Sequence, residues 1–128
     1  MTSEPADITH DKFRMWRRSD GIVHLEWTAQ AHITLEDAKD ATSAMAQLTG
    51  GERAGLLVNA HNSSTMDRPA RMEFVDRADL VSGVALIVAT PLSRLMGNFF
   101  IAVNSPVAPT RLFDNEESAL EWLRSVAT

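Results

Sequence analysis

The run GVALIVA, Gly83–Ala89, is apolar without alternation. A strand with one wet face alternates apolar and polar side chains, whereas a strand covered on both faces has no polar side to show. The run therefore predicts a central strand in a mostly parallel sheet, with layers packed above and below it. Folds that offer such a position alternate strands and helices along the chain.

The rest of the chain supplies that alternation. Lys12–Arg18 and Ile22–Thr28 flank Ser19-Asp20-Gly21 and read as a hairpin. A loop of these three residues, with Gly21 left-handed, pairs Phe13 with Trp27, Met15 with Leu25, Arg14 with Glu26 and Trp16 with His24. That register keeps one face apolar and gathers Lys12, Arg14, Trp16, Arg18, His24 and Glu26 on the other. Thr34 and Asp37 have capping-box spacing before a helix with the stripe Leu35, Ala38, Ala41, Met45 and Leu48. Gly50-Gly51 ends it. Ala54–Asn59 is a short apolar strand. A second helix, capped by Ser64 with Asp67 or by Thr65 alone, has the stripe Met66, Ala70, Phe74, Ala78 and Val81. After the central strand, Thr90-Pro91 opens a third helix over residues 91–104. Thr110–Phe113 is a last strand. Asp114 with Glu117 has the spacing to cap a final helix bearing Ala119, Leu120, Leu123 and Val126. The expected order is ββαβαβαβα, an α/β domain with a mixed, mostly parallel five-stranded sheet and helices on its faces.

Length and charge bound the function. The 128 residues make one domain, expected over 12–128, with 1–11 as a flexible tail. There is no cysteine, which excludes disulfides, thiolate metal ligands and a thiol nucleophile. No apolar run approaches the ~20 residues of a membrane span, so no membrane insertion is expected. The polar, acidic start lacks the features of a secretory signal, and the cytoplasm is the expected compartment. A net charge of −5 argues against a nucleic-acid partner, whose phosphates call for the opposite sign.

Catalytic signatures are missing. There is no phosphate-binding glycine loop, no nucleophile elbow and no H-E-x-x-H. His10, His24, His32 and His61 do not share a helix face with one another or with a carboxylate, so no metal is expected. His61 with Asp67 lacks a nucleophile or a metal to complete a site. A non-enzymatic domain without cofactor is the expectation.

Sites for binding can still be named. Ligands of open α/β sheets bind beyond the carboxyl ends of the strands. Asn62, Ser63, Ser64, Thr65 and Arg68 follow one such end, and Thr90, Ser93 and Arg94 follow the next; together they form the expected ligand or anion edge. Ser63 and Ser64 are the candidate phospho-acceptors. Gly97 and Ile101 lie opposite the third helix's stripe and mark a candidate homodimer surface. Lys12, Arg14, Trp16 and Arg18 alternate bases around an aromatic, with Glu26 and His24 across from them.

The hairpin followed by αβαβαβα resembles the STAS/SpoIIAA-like domains, which include anti-sigma-factor antagonists. More narrowly, Phe13–Val126 is similar to an uncharacterised bacterial family of small STAS-like proteins. The likeness is strongest in residues 91–123, through Gly97-Asn98-Phe99-Phe100, Asn104, Pro109-Thr110 and Leu112-Phe113. The resemblance implies a regulatory or protein-interaction role. STAS antagonists carry a phosphorylated serine in an Asp-Ser-x-Gly order, whereas this chain reads Asn59-Ala60-His61-Asn62-Ser63-Ser64. The alternative is a small apolar-ligand or lipid-binding protein, its pocket beside helix 91–104 and lined by Leu95, Met96, Phe99 and Phe100.

Overall fold

The computed structural model describes residues 7–28, 31–60, 65–88 and 108–126. Strands β1 (Asp7–Thr9), β2 (Phe13–Arg17) and β3 (Val23–Trp27) form an antiparallel meander. Beyond it run β5 (Ala54–Ala60), β7 (Val81–Ile87) and β8 (Thr110–Phe113), each parallel to its neighbour. The sheet order is β1-β2-β3-β5-β7-β8. A second, two-stranded sheet pairs β4 (His32–Ile33) with β6 (Thr65–Met66). The helices are α1 (Leu35–Thr49), α2 (Arg68–Asp76) and α3 (Glu116–Val126), with a 3-10 turn at Ala78–Leu80. The expected third helix, 91–104, lies outside the described residues.

The hairpin register is the expected one: Phe13 faces Trp27, Met15 faces Leu25, Trp16 faces His24, and Gly21 has φ +88°. The reason is the face rule, since a slip by one residue would drive Arg14 and Glu26 into the core. Asp7–Thr9, expected within the tail, instead adds a strand to β2. Ile8 opposite Met15 joins the apolar face, and the Asp7 carboxylate takes both Nε and Nη2 of Arg14 at 2.9–3.3 Å.

Layers form on both sides of the sheet. The inner core joins Met15, Leu25, Trp27, Leu56 and Val58 to Ala38, Ala41 and Met45 of α1 and Ala70 of α2. The strands step in one direction across the sheet, and right-handed crossovers then place α1 and α2 on the same side. The outer core joins Ile22, Leu57 and Ala85 to Ala119, Leu120 and Leu123 of α3. Thus β7 is covered on both faces, as its sequence requires.

Helix ends show where local chemistry acts. The Thr34–Asp37 capping box is complete, and Gly50 closes α1 with φ +67°. Helix α2 starts later than expected. Its N-cap is Asp67, which makes no side-chain cap bond, rather than Ser64 or Thr65. It also ends earlier, because the 3-10 turn releases Val81 to pair with Ala54 in the sheet. At α3 the first-turn amide of Ser118 is taken by Asn115 Oδ1 at 2.8 Å, so Asn115 caps the helix from one position beyond Asp114.

Candidate functional site

Among the described residues the inner layer leaves a gap. A cavity of about 130 Å³ lies between the sheet and the helices α1 and α2. Its floor is the inward row of the parallel strands: Leu25, Leu56, Val58, Val84 and Leu86. Its walls are Met45 of α1, Met66 of β6, Phe74 of α2 and, from the meander, Met15 and Trp27. Helix α1 contributes the short side chains of Ala41 and Thr42 to the lining. Methionine thioethers are flexible and polarisable, so such a wall adapts to an occupant. Trp27, 2% exposed, meets Phe74 edge-on at 6.5 Å.

Polar groups at the cavity are few. Thr42 Oγ1 donates to Lys39 O at 3.1 Å, and Thr110 Oγ1 donates to Ala108 O at 3.0 Å. Both hydroxyl protons are thus spent on backbone carbonyls. Arg77 is the charged lining residue among those described. Its Nε donates to Asp79 Oδ1 at 3.2 Å, and that hydrogen bond holds the Asp79 carboxyl below its ordinary pKa.

The expected carboxyl-edge site is described only in part. Asn62, Ser63, Ser64, Thr90, Ser93 and Arg94 lie outside the described residues. So do the candidate dimer residues Gly97 and Ile101, and Leu95, Met96, Phe99 and Phe100 of the expected pocket. Thr65 opens β6 and exposed Arg68 opens α2, both just past the end of β5. The structure brings to Thr65 a residue that the sequence reading left out. His32 Nδ1 lies 2.7 Å from Thr65 Oγ1, and His32 Nε2 lies 2.9 Å from Asp67 Oδ1. Hydroxyl, imidazole and carboxylate form a chain that ties β4 to β6 and to the start of α2. The imidazole and carboxylate are exposed, at 57% and 41% of their side chains, so water competes for every bond in it. Asp67 pairs with His32; His61, weighed with Asp67 from the sequence and set aside, lies outside the described residues.

One cluster has the composition of a cation site. Ligand atoms of His10, Asp37 and Asp40 lie within 4.8 Å of one another. The hydrogen bonds argue for a different use. His10 Nδ1 accepts the Lys12 amide at 3.1 Å, so Nε2 carries the ring proton and donates to Asp40 Oδ2 at 3.0 Å. Lys12 Nζ reaches Asp37 Oδ2 at 2.7 Å. Burial pushes the Asp37 carboxyl up, but Lys12 and the Thr34 hydrogen bonds outweigh it and hold the group below its ordinary value. These contacts fasten the β1–β2 turn to α1. They also move Lys12 off the basic hairpin face, where the sequence reading placed it.

The remainder of that face is neutralised locally. Arg14 pairs with Asp7 and lies 4.6 Å above the Trp16 ring, while Arg18 pairs with Asp20 at 3.3 Å. No described helix is long and apolar enough to cross a membrane.

The sequence reading placed a pocket beside residues 91–104, which lie outside the described residues, and named none of the described lining residues as part of it. The available signal was the run of small residues on α1, Ala38, Ala41, Thr42 and Ala44, opposite an apolar sheet face. Small residues on a helix more often mean close packing, so the signal is ambiguous without the backbone.

Comparison with known proteins fits this architecture. Over 96% of the chain, the fold matches 98% of an uncharacterised protein of the DUF3478 family from Shewanella loihica PV-4, described as having a SpoIIAA-like fold, with TM-score 0.60 and 14% identity. A protein of unknown function from Arthrobacter sp. FB24 is 32% identical over 85% of this chain and 90% of its own, with TM-score 0.33. The comparison with curated proteins gave no match. Residues 15–127 match the family described as domain of unknown function DUF7793. The chain belongs to that family, and it folds as a SpoIIAA-like α/β domain.

Proposed function

We propose that this chain is a non-enzymatic binding domain that holds a small apolar ligand between its sheet and the helices α1 and α2. The cavity of about 130 Å³ carries the reading. Left empty, a hole of that size forfeits about 3 kcal/mol of packing, at roughly 24 cal/mol per Å³. An apolar occupant recovers contacts that water, lacking polar partners there, does not make. The volume suits a benzene-sized group or a short alkyl chain. At a ceiling of about 1.5 kcal/mol per non-hydrogen atom, an occupant of that size binds no tighter than about micromolar.

The regulatory role implied by the SpoIIAA-like fold attaches to the same place. Helix α2 lines the cavity with Phe74 and Val75, and its first turn carries Arg68 beside the Thr65–His32–Asp67 chain. A ligand that shifts α2 thereby alters the carboxyl edge, where a protein partner would dock. The test is thermal unfolding with increasing benzene or toluene. The midpoint rises with ligand if the site binds, as mass action requires. An unchanged midpoint at saturating probe contradicts the reading.

A further inference from the structure

Among the described lining residues Arg77 is the charged one, and it narrows the ligand class. Arg77 closes the segment after α2 and lines the cavity, yet its side chain is 40% exposed. The cavity surface is almost wholly apolar, so Arg77 borders it with its stem and carries the guanidinium at the mouth, where the apolar space meets water. The hydroxyls of Thr42 and Thr110 have given their protons to backbone carbonyls, so neither can donate to an occupant. Asp79 engages one of the five guanidinium N–H groups and holds the Arg77 side chain in place at that mouth. The other contributors to floor and walls named above are aliphatic, aromatic or thioether.

We infer that the ligand is a small amphipathic anion, its apolar tail in the cavity and its carboxylate or similar oxyanion on the Arg77 guanidinium. The inference rests on the apolar-ligand reading and adds the head group to it. A neutral hydrocarbon fills the tail site but leaves the mouth cation to water. A cationic amphiphile would have to displace Arg77 from the Asp79 carboxylate. A planar oxyanion matches the guanidinium fork, and charge-assisted hydrogen bonds are the stronger kind.

Hexanoate and 1-hexanol separate tail from head, because they share a chain and differ in charge at pH 7. Trp16→Phe with Trp122→Phe leaves Trp27, inside the cavity, as the sole indole, so its emission reports occupancy. The expected result is hexanoate binding about tenfold more tightly than hexanol, the scale of one charge-assisted bond. Arg77→Gln lowers hexanoate affinity to the hexanol level, and Arg77→Lys retains part of the preference. Equal affinities in the parent protein, or a preference that survives Arg77→Gln, would overturn the inference. If benzene still perturbs Trp27 in that case, the apolar site stands without its head group. If benzene, hexanol and hexanoate all leave Trp27 unchanged, the apolar-ligand reading falls as well.

Discussion

The Trp16 indole lies against the His24 imidazole, ring centroids 4.1 Å apart and planes within 22°. His24 is only 5% exposed, and neither ring nitrogen has a hydrogen-bond partner. The stack buries a polar ring on the outer face and seals it with an aromatic. Burial lowers the His24 pKa. Glu116 and Glu26 pull the other way, while Arg18 and Arg14 add to the lowering.

That direction fixes a pH dependence. The unfolded histidine titrates near 6.5 and the folded one below it, so the unfolded state binds more protons in between. Stability is full above pH 6.5 and falls as pH drops from there toward the folded value. His24→Phe keeps the stack and removes both unpaired nitrogens. Urea midpoints between pH 7.5 and 5.5 should decline less steeply in this variant. At neutral pH the variant should match or exceed the parent, by up to about 1 kcal/mol. Parallel profiles would show that His24 does not titrate as described.

Asp37 does several jobs with one carboxylate. It completes the α1 capping box and takes the Lys12 ammonium while 7% exposed. Asp37→Ala should cost about 2 kcal/mol in urea unfolding. Asp37→Asn keeps an acceptor oxygen and should cost less. Because the folded pKa is depressed, this contribution is present above pH 4 and lost as pH falls through the folded value. Equal costs for the two variants would contradict the assigned capping role, and an Asp37→Asn variant as stable as the parent would contradict the charge pairing.

The outer layer is set by a close approach at β7. A Cβ on Gly83 would stand 2.8 Å from Val126 Cγ2 and 3.6 Å from the Trp122 ring. Gly83→Ala should therefore destabilise by about 1–2 kcal/mol, as overpacking does. Val126→Ala made in the same chain should recover most of that loss. A double-mutant cycle measures the coupling, and additive losses would deny the contact.

Filling the cavity should trade binding for stability. Ala41 lines it and is 1% exposed, so Ala41→Leu places added carbons into the space. The expected outcome is a raised melting midpoint together with loss of the benzene-dependent shift. Ala41→Val, a smaller fill, should lie between. A benzene shift retained in Ala41→Leu would place the probe elsewhere.

Sequence and structure agree where a local rule has one answer. The hairpin register follows from keeping Arg14 and Glu26 out of the core, and the α1 start from the Thr34–Asp37 spacing. The covered strand follows from its unbroken apolar run. Other features depend on partners distant in sequence. Asp7–Thr9 holds one apolar residue and becomes a strand only because Arg14 and Met15 lie beside it. His32–Ile33 and Thr65–Met66 are too short to show a period. The α2 stripe ran on to Val81 because Ala78 and Val81 keep helical spacing, but pairing of Val81 with Ala54 takes precedence. The described lining of the cavity was the least legible feature, since no periodicity singles out its residues.

The central claim is that the space between the sheet and the helices α1 and α2 accepts an apolar occupant. Diffraction from crystals pressurised with xenon tests it most directly, since xenon enters dry apolar cavities and scatters strongly. The account predicts a xenon peak in van der Waals contact with Leu56, Met45 and Phe74. A filled core with those side chains closed on one another, and no xenon there, would contradict it.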